Sequence, residues 1–272
     1  MEQIIWLIPL GFIVGTFGTL IGAGGGFILV PVLLLVYPDK SPETITSISL
    51  AVVFFNALSG SFAYAKMKRI DYKSGLIFAA ATIPGSILGA YTTQLIPRNI
   101  FDGVFGFLLM AAFIFLMFKP KNKKISEGEP PKNHITRSLT DIDGITHMFS
   151  YNPILGISIS VLVGYLSSLL GIGGGIIHVP VLVHALNFPV HFATATSHFV
   201  LAVMSLSGTI VHIASGVLSK GVIQTVTLSV GVLFGAQLGA KLSNKFHGVW
   251  IIRSLAIALG LVGIRIFIMA FN

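Results

Sequence analysis

Six apolar stretches, near residues 44–66, 74–96, 100–118, 191–214, 220–243 and 248–270, each have the length of a helix that crosses a bilayer, since about 20 apolar residues at helical rise span about 30 Å of hydrocarbon. That ruler constrains the chain more than any short motif. With 54% hydrophobic and 10% charged residues and a mean hydropathy of +0.91, a water-soluble globule of 272 residues is excluded, as are disorder, a coiled coil and a collagen-like rod. The absence of Cys removes disulfides, thiolate metal sites and cysteine nucleophiles. The net charge of +8 sits in loops between apolar runs, where it reports membrane topology and not a nucleic-acid partner.

Two more apolar stretches, 4–37 and 152–187, are each too long for one helix, and each is interrupted by a glycine cluster followed by a proline. Each reads as a broken pair. In the first, the arms run from Ile4 to Ile21 and from Phe27 to Tyr37, and the second arm is too short to cross unaided at about 1.5 Å per residue. Cations gather at Lys66, Lys68, Arg69 and Lys73 and in the polar stretch 119–150, and the positive-inside rule makes both cytoplasmic. That stretch also holds Glu127, Glu129 and Pro130-Pro131, the composition of a solvated tether. The predicted organisation is a first transmembrane repeat over 1–118, a polar cytoplasmic linker over 119–150 and a second transmembrane repeat over 151–272. Met1 to Trp6 has no Lys or Arg and no small-residue cleavage site follows, so the first helix is expected to stay in the protein.

The halves are a tandem duplication. GTFGTLIGAGGGFILVP at 15–31 and GYLSSLLGIGGGIIHVP at 164–180 align at an offset of 149, superposing Gly22 on Gly171, Gly24 to Gly26 on Gly173 to Gly175, and Pro31 on Pro180. Thr44, Thr46 and Ser47 fall on Thr194, Thr196 and Ser197 at 150, whereas Ser59-Gly60 falls on Ser207-Gly208 at 148. Equivalent loops exchange cation bias: four cations follow the third arm in the first half against Lys220 alone in the second, and Arg98 alone matches a region with Lys241 and Lys245. Five arms per half would invert the second copy, and an even number would leave the copies parallel. The fold class expected is therefore all-α: a polytopic membrane protein of two repeats, inverted in the preferred reading, each a glycine-broken helix pair plus three spanning helices.

Irregular backbone at membrane depth survives only where protein or a watery cavity satisfies its polar groups. A helix that begins just after Gly24 to Gly26 or Gly173 to Gly175 aims unpaired N–H groups and a positive dipole end at the turn, which suits an anion. The other reading is close helix packing, favoured for Gly85 and Gly89 and for Gly235 and Gly239, each spaced four apart. Packing needs one glycine per turn, and three in succession weaken a helix by roughly 1 kcal/mol each relative to Ala, so the triple clusters point to a site. Neither cluster has the spacing of a dinucleotide fingerprint or the Lys-Ser/Thr of a phosphate loop.

The paired G-x-G-G-G segments with their following Pro, the Thr-Ser pair opening the next helix, eight or so apolar spans and the central polar linker resemble the sulfite exporter TauE/SafE family, also called the 4-toluene sulfonate uptake permeases. The resemblance implies a secondary carrier in the cytoplasmic membrane for small sulfur-containing anions such as sulfite, sulfonates or sulfoacetate. The sequence departs from symmetry by placing histidines beside the second cluster but not the first.

No Asp or Glu lies deep in a span, so membrane-embedded histidines are the groups left for proton coupling: His198 first, then His178. Thr46, Ser47, Thr196 and Ser197 carry hydroxyls suited to sulfonate oxygens, with back-bonding to their own helix as the competing role. Asn56 and Gln237 are uncharged amides well inside spans that either line the pathway or bond between helices. The function expected is alternating-access transport of a small anion, with an anion channel using the same cavity as the alternative. An enzyme is not expected, because no His-Glu metal motif, carboxylate pair or Ser-His-Asp set lies inside the membrane. The partners expected are the anionic substrate and membrane lipid, with no nucleic acid, metal or cofactor.

Overall fold

A computed structural model describes residues 5–117, 133–142, 144–243 and 249–271. The linker lysines between 119 and 132, the pair Pro130-Pro131 and Lys245 lie outside the described residues. Among the described residues five α-helices form in each half: α1 (Leu7–Ile21), α2 (Gly26–Val36), α3 (Pro42–Lys66), α4 (Tyr72–Thr93) and α5 (Arg98–Met117), then α6 (Pro153–Leu170), α7 (Gly175–His184), α8 (Val190–Ala214), α9 (Val222–Leu242) and α10 (Val249–Met269). Five segments are long and apolar enough to cross a membrane, namely α3, α4, α6, α8 and Val217–Leu242, the last being α9 with its preceding 3₁₀ turn. Exposed Phe62, Leu88, Leu162 and Phe234 face outward from them, as lipid-facing side chains do. The chain is a multi-pass membrane protein.

Local chemistry sets the helix ends. Pro42 starts α3 behind Ser41, with Glu43 in the first turn, where a negative charge complements the helix dipole. Asn152 caps α6 by accepting from the amides of Ile154 and Leu155, and Pro153 occupies the first helical position. Helices α1 and α6 both stop at a glycine in the left-handed conformation, Gly22 at φ 78° and Gly171 at φ 69°, a backbone region that glycine enters without steric cost.

Packing repeats when the halves are exchanged. Helix α1 runs parallel to α9, with Gly231, Gly235 and Gly239 laid successively on the backbones of Ile8 to Phe12, Phe12 to Thr16 and Thr16 to Leu20. Its counterpart α6 runs parallel to α4, where Gly85 meets the backbone of Val161 and Tyr165 and Gly89 that of Tyr165 and Leu169. These glycines are contact points that let helix axes approach. Helix α3 lies antiparallel to its own counterpart α8, since Gly60 sits on His198 and Gly208 on Leu50. Helices α5 and α10 are antiparallel as well: Gly106 meets Gly263 and Phe267, and Gly260 meets Phe113.

The expectation of an all-α chain with a solvated tether needs correction. Within the linker, β1 (Ile135–Thr140) and β2 (Thr146–Tyr151) pair antiparallel, with Ile135 opposite Tyr151 and Thr140 opposite Thr146. Alternation explains it: Ile135, Arg137 and Leu139 on one strand and His147, Phe149 and Tyr151 on the other face inward, and every second residue faces out. Phe149 and Tyr151 are buried against Phe78 of α4 and Phe188 and Phe192 near the start of α8. An ionic cluster pins the hairpin. Arg137 lies 3.4 Å from the Asp71 carboxylate, Tyr151 donates to Ser74 over 2.6 Å, and Ser74 donates in turn to Asp71.

Candidate functional site

Gly22 to Gly25 and Gly171 to Gly174 lie outside the helices, so both apolar runs are broken where the glycines cluster. Gly24, Gly25, Gly173 and Gly174 all have positive φ, which makes each turn a run of left-handed residues. Helix α2 begins at Gly26 and α7 at Gly175. Both turns are buried, and they meet each other. A Cβ on Gly26 would strike the carbonyl oxygen of Gly171 at 2.5 Å, and one on Gly175 would strike the carbonyl of Gly22. Each half-helix N-terminus therefore abuts the C-terminal cap of the other repeat's first helix. Positive and negative dipole ends offset one another in this arrangement.

The amides divide into two groups. Those of Ala23 and Gly24 return to the Gly18 carbonyl, at 2.8 and 3.1 Å, and that of Ile172 to Ser167 at 3.1 Å. Among the described residues, the amides of Gly25, Gly26 and Phe27 have no backbone carbonyl as partner, and neither do those of Gly173, Gly174 and Ile176. Val53 and Leu201 close over the turns: both are the nearest neighbours that a Cβ would meet at Gly24 and at Gly173.

Contacts around the turns fix the register between repeats. Thr46 stands against Gly171 as Thr194 stands against Gly22, and Ser49 donates to the Gly171 carbonyl (2.6 Å) as Ser197 does to the Gly22 carbonyl (3.4 Å). Both pairs lie at an offset of 148, as do Ser59-Gly60 and Ser207-Gly208, and the 25-residue helices α3 and α8 begin and end at that offset too. The pairing of Thr46 and Ser47 with Thr196 and Ser197 at 150 is thus corrected by two residues. It arose because Thr-x-Thr-Ser in one helix imitates Thr-x-Thr-Ser in the other, one helical step out of place.

The other expected site residues separate. Thr46 donates to the Pro42 carbonyl (2.9 Å) and Ser47 to that of Thr44 (2.8 Å), both within their own helix. Thr196 accepts from the Asp71 amide at 3.0 Å, tying α8 to the hairpin cluster. Gln237 donates to the Ser59 carbonyl (2.7 Å) and bonds α9 to α3. Asn56, by contrast, reaches the first turn and donates to the Gly24 carbonyl at 2.9 Å.

Around Asn56 is a polar cluster whose residues differ in the other repeat, where Ser86 bonds to Ser168 and to the Met204 carbonyl (both 2.8 Å). Thr19 donates to Asn56 Oδ1 (3.1 Å), its oxygen lies 3.3 Å from His198 Nε2, and Tyr64 donates to the Thr19 carbonyl at 2.7 Å. Because the Thr19 proton is committed to Asn56, the ring must donate from Nε2, leaving Nδ1 as a buried acceptor without a partner. At the same offset the second repeat has Met204 for Asn56 and Leu50 faces it where His198 faces the first. His178 sits between Ser160 (Nε2, 3.5 Å) and Ser197 (Nδ1, 3.4 Å). Both hydroxyls give their protons to carbonyls, Ser160 to Gly156 at 2.7 Å and Ser197 to Gly22, so the neutral ring can donate its one N–H to only one of them. Sequence reasoning missed Thr19, Ser49, Tyr64, Val53 and Leu201. The offset of 148 would have marked Ser49 as the partner of Ser197; apolar Val53 and Leu201 carry no such signal.

The family model for the sulfite exporter TauE/SafE matches residues 7–266. The chain is 36% identical over 266 residues to the probable membrane transporter protein YunE of Bacillus subtilis, covering 96% of each chain. It is 28% identical to the probable membrane transporter protein MJ0441 of Methanocaldococcus jannaschii, covering 95% of this chain and 93% of that one. A second Bacillus subtilis relative, the probable membrane transporter protein YdhB, is 28% identical over 90% of each chain. No solved structure matches. With residues 7–266 of its 272 matched, this chain belongs to the sulfite exporter TauE/SafE family of membrane transporters.

Proposed function

We propose that the protein is a secondary transporter of a small sulfur-containing anion, sulfite or a sulfonate, in the cytoplasmic membrane. It works by alternating access between two inverted halves. The observation that carries this reading is the meeting of two half-helix N-termini, α2 and α7, at buried glycine turns whose leading amides lack backbone partners. Such ends attract anions through oriented N–H groups and the dipole, and broken helices at a repeat interface are where carriers place their substrates. The antiparallel course of α3 against α8 and of α5 against α10 supports inversion.

Here the Gly22 and Gly171 carbonyls stand where negative charge would be welcomed, and Val53 and Leu201 cover the turns. An anion binds when the two halves shift enough to withdraw these groups, exposing the amides of Gly25, Gly26, Gly173 and Gly174 with the hydroxyls of Ser49 and Ser197 beside them. His198, with a bare Nδ1 next to the first turn, takes the coupled proton. The sulfur chemistry of the cargo rests on the family's name and the oxyanion character of the turns.

The test is flux in proteoliposomes with sulfite, thiosulfate, 4-toluenesulfonate and sulfate, with and without an imposed pH gradient. Saturable uptake of at least one of the sulfur anions, with counterflow of the unlabelled anion, is expected. Linear, unsaturated flux without counterflow would replace the carrier with a channel, and absence of flux for all four would remove the substrate class.

A further inference from the structure

Between α3, α8 and the start of α4 lies a groove of about 470 Å³, lined by Leu58, Phe62, Tyr72, Phe199 and Leu206. Several of these side chains are exposed, so the groove opens sideways where lipid lies. Ser61 adds a hydroxyl to this apolar lining. Ser61 Oγ is buried and has no hydrogen-bond partner, although its residue faces the groove. Its counterpart in the second repeat, Thr209, is satisfied by the Ser205 carbonyl at 2.7 Å. A buried hydroxyl left unpaired is costly, and a ligand carrying an acceptor would relieve it.

The mouth of the groove carries charge. Ala65 and Ile70 line it on either side of the turn between α3 and α4, and this turn and its flanks bear Lys66, Lys68 and Lys73, all exposed. Among the described residues none of the three lysines takes part in an ion pair. Lys68 also holds a left-handed backbone, φ 54°, where the second repeat has Gly216 at φ 74°. A position that favours glycine keeps a long cation in only one copy, and that cation stands beside the groove.

We propose that this groove binds an anionic phospholipid of the adjoining leaflet. Its acyl chain lies on Phe62 and Phe199, an ester carbonyl accepts from Ser61, and the phosphate sits among Lys66, Lys68 and Lys73. The depth fits, because Ser61 lies five residues before Lys66, about 7.5 Å at helical rise, and the glycerol esters of a lipid lie just below its phosphate. Clustered lysines beside a span attract anionic headgroups.

Native mass spectrometry of the full chain, delipidated and then offered phosphatidylglycerol and phosphatidylcholine of identical chains, tests the assignment. Phosphatidylglycerol is expected to be retained in preference. The triple variant Lys66→Gln, Lys68→Gln, Lys73→Gln should lower its retention roughly tenfold or more, and the triple Lys→Arg variant should keep it. All three positions are exposed, so the variants leave the core intact. Ala202 also lines the groove, and Ala202→Phe, which fills it, should release both lipids. Equal retention by the triple Gln variant, displacement by glycerol 1-phosphate alone, or displacement by 4-toluenesulfonate would each overturn the proposal.

Discussion

The Asn56 side-chain amide is bonded to the Gly24 carbonyl at 2.9 Å, and the matching place in the second repeat holds Met204. One glycine turn is therefore clamped by a side-chain amide, and in the other the Gly173 carbonyl accepts from the Gly175 amide at 2.8 Å while Ser49 holds the Gly171 carbonyl. Asn56→Leu conserves volume but strands the Gly24 carbonyl and Thr19, and a buried polar group left unpaired costs about 1–3 kcal/mol. A lower melting temperature in detergent is expected, together with reduced flux. Met204→Leu, a volume-conserving swap, should cost less than about 1.5 kcal/mol. Equal losses from the two substitutions would deny the clamp.

Gly24 and Gly173 test the closure over the turns. A Cβ at Gly24 would come within 2.7 Å of Leu201 Cδ2 and 3.0 Å of Val53 Cγ1, flexible side-chain ends that can be trimmed. Gly24→Ala should impair flux, and adding Leu201→Ala should restore part of it. The remainder is the left-handed backbone at φ 77°, which costs a residue with a Cβ about 1–2 kcal/mol. In a double-mutant cycle the two substitutions should couple by more than about 0.5 kcal/mol in stability; strict additivity would mean that Leu201 does not close the turn.

Helix positions were legible from hydropathy because a bilayer allows few alternatives to a 20-residue apolar helix, and α3 to α5 and α8 to α10 lie where the apolar stretches lie. The breaks at Gly22 to Gly25 and Gly171 to Gly174 were legible because consecutive glycines oppose helix. The hydroxyl register was not. A shift of two residues leaves similar side chains superposed in low-complexity apolar sequence, and although Ser59-Gly60 and Ser207-Gly208 already stand at 148, the contacts of Ser49 and Thr194 decide between the two offsets. The hairpin escaped because its alternation begins within a charged linker whose composition reads as solvated. Val53 and Leu201 escaped because an apolar residue in a membrane helix carries no distinguishing mark.

The hairpin cluster predicts a stability effect far from the glycine turns. Asp71 is buried, caps α4 through the Ser74 amide at 3.3 Å, and faces Arg137. Arg137→Gln leaves that carboxylate without its cation, and removing one partner of a buried pair costs about 3–5 kcal/mol. The hydroxyl and amide of Ser74 remain, so the lower end of that range is expected. Thermal unfolding of Arg137→Gln against Arg137→Lys measures it. A shift no larger than that of an exposed substitution such as Thr136→Ala would show that the hairpin is not anchored through this pair.

Proton linkage can be assigned between the two candidate histidines by substitutions that copy one ring nitrogen. His198 donates from Nε2 to Thr19 and leaves Nδ1 bare, so glutamine reproduces the donor and removes the proton acceptor. His198→Gln should retain saturable flux at symmetric pH and lose the stimulation by an acid gradient. His178 faces two hydroxyls that are already donating elsewhere, so its neutral ring satisfies one of them, and its substitution should weaken the packing around Gly22 at every pH. His178→Gln is accordingly expected to lower flux about equally with and without the gradient. Measured side by side in proteoliposomes, loss of gradient stimulation in His178→Gln and its survival in His198→Gln would exchange the two roles.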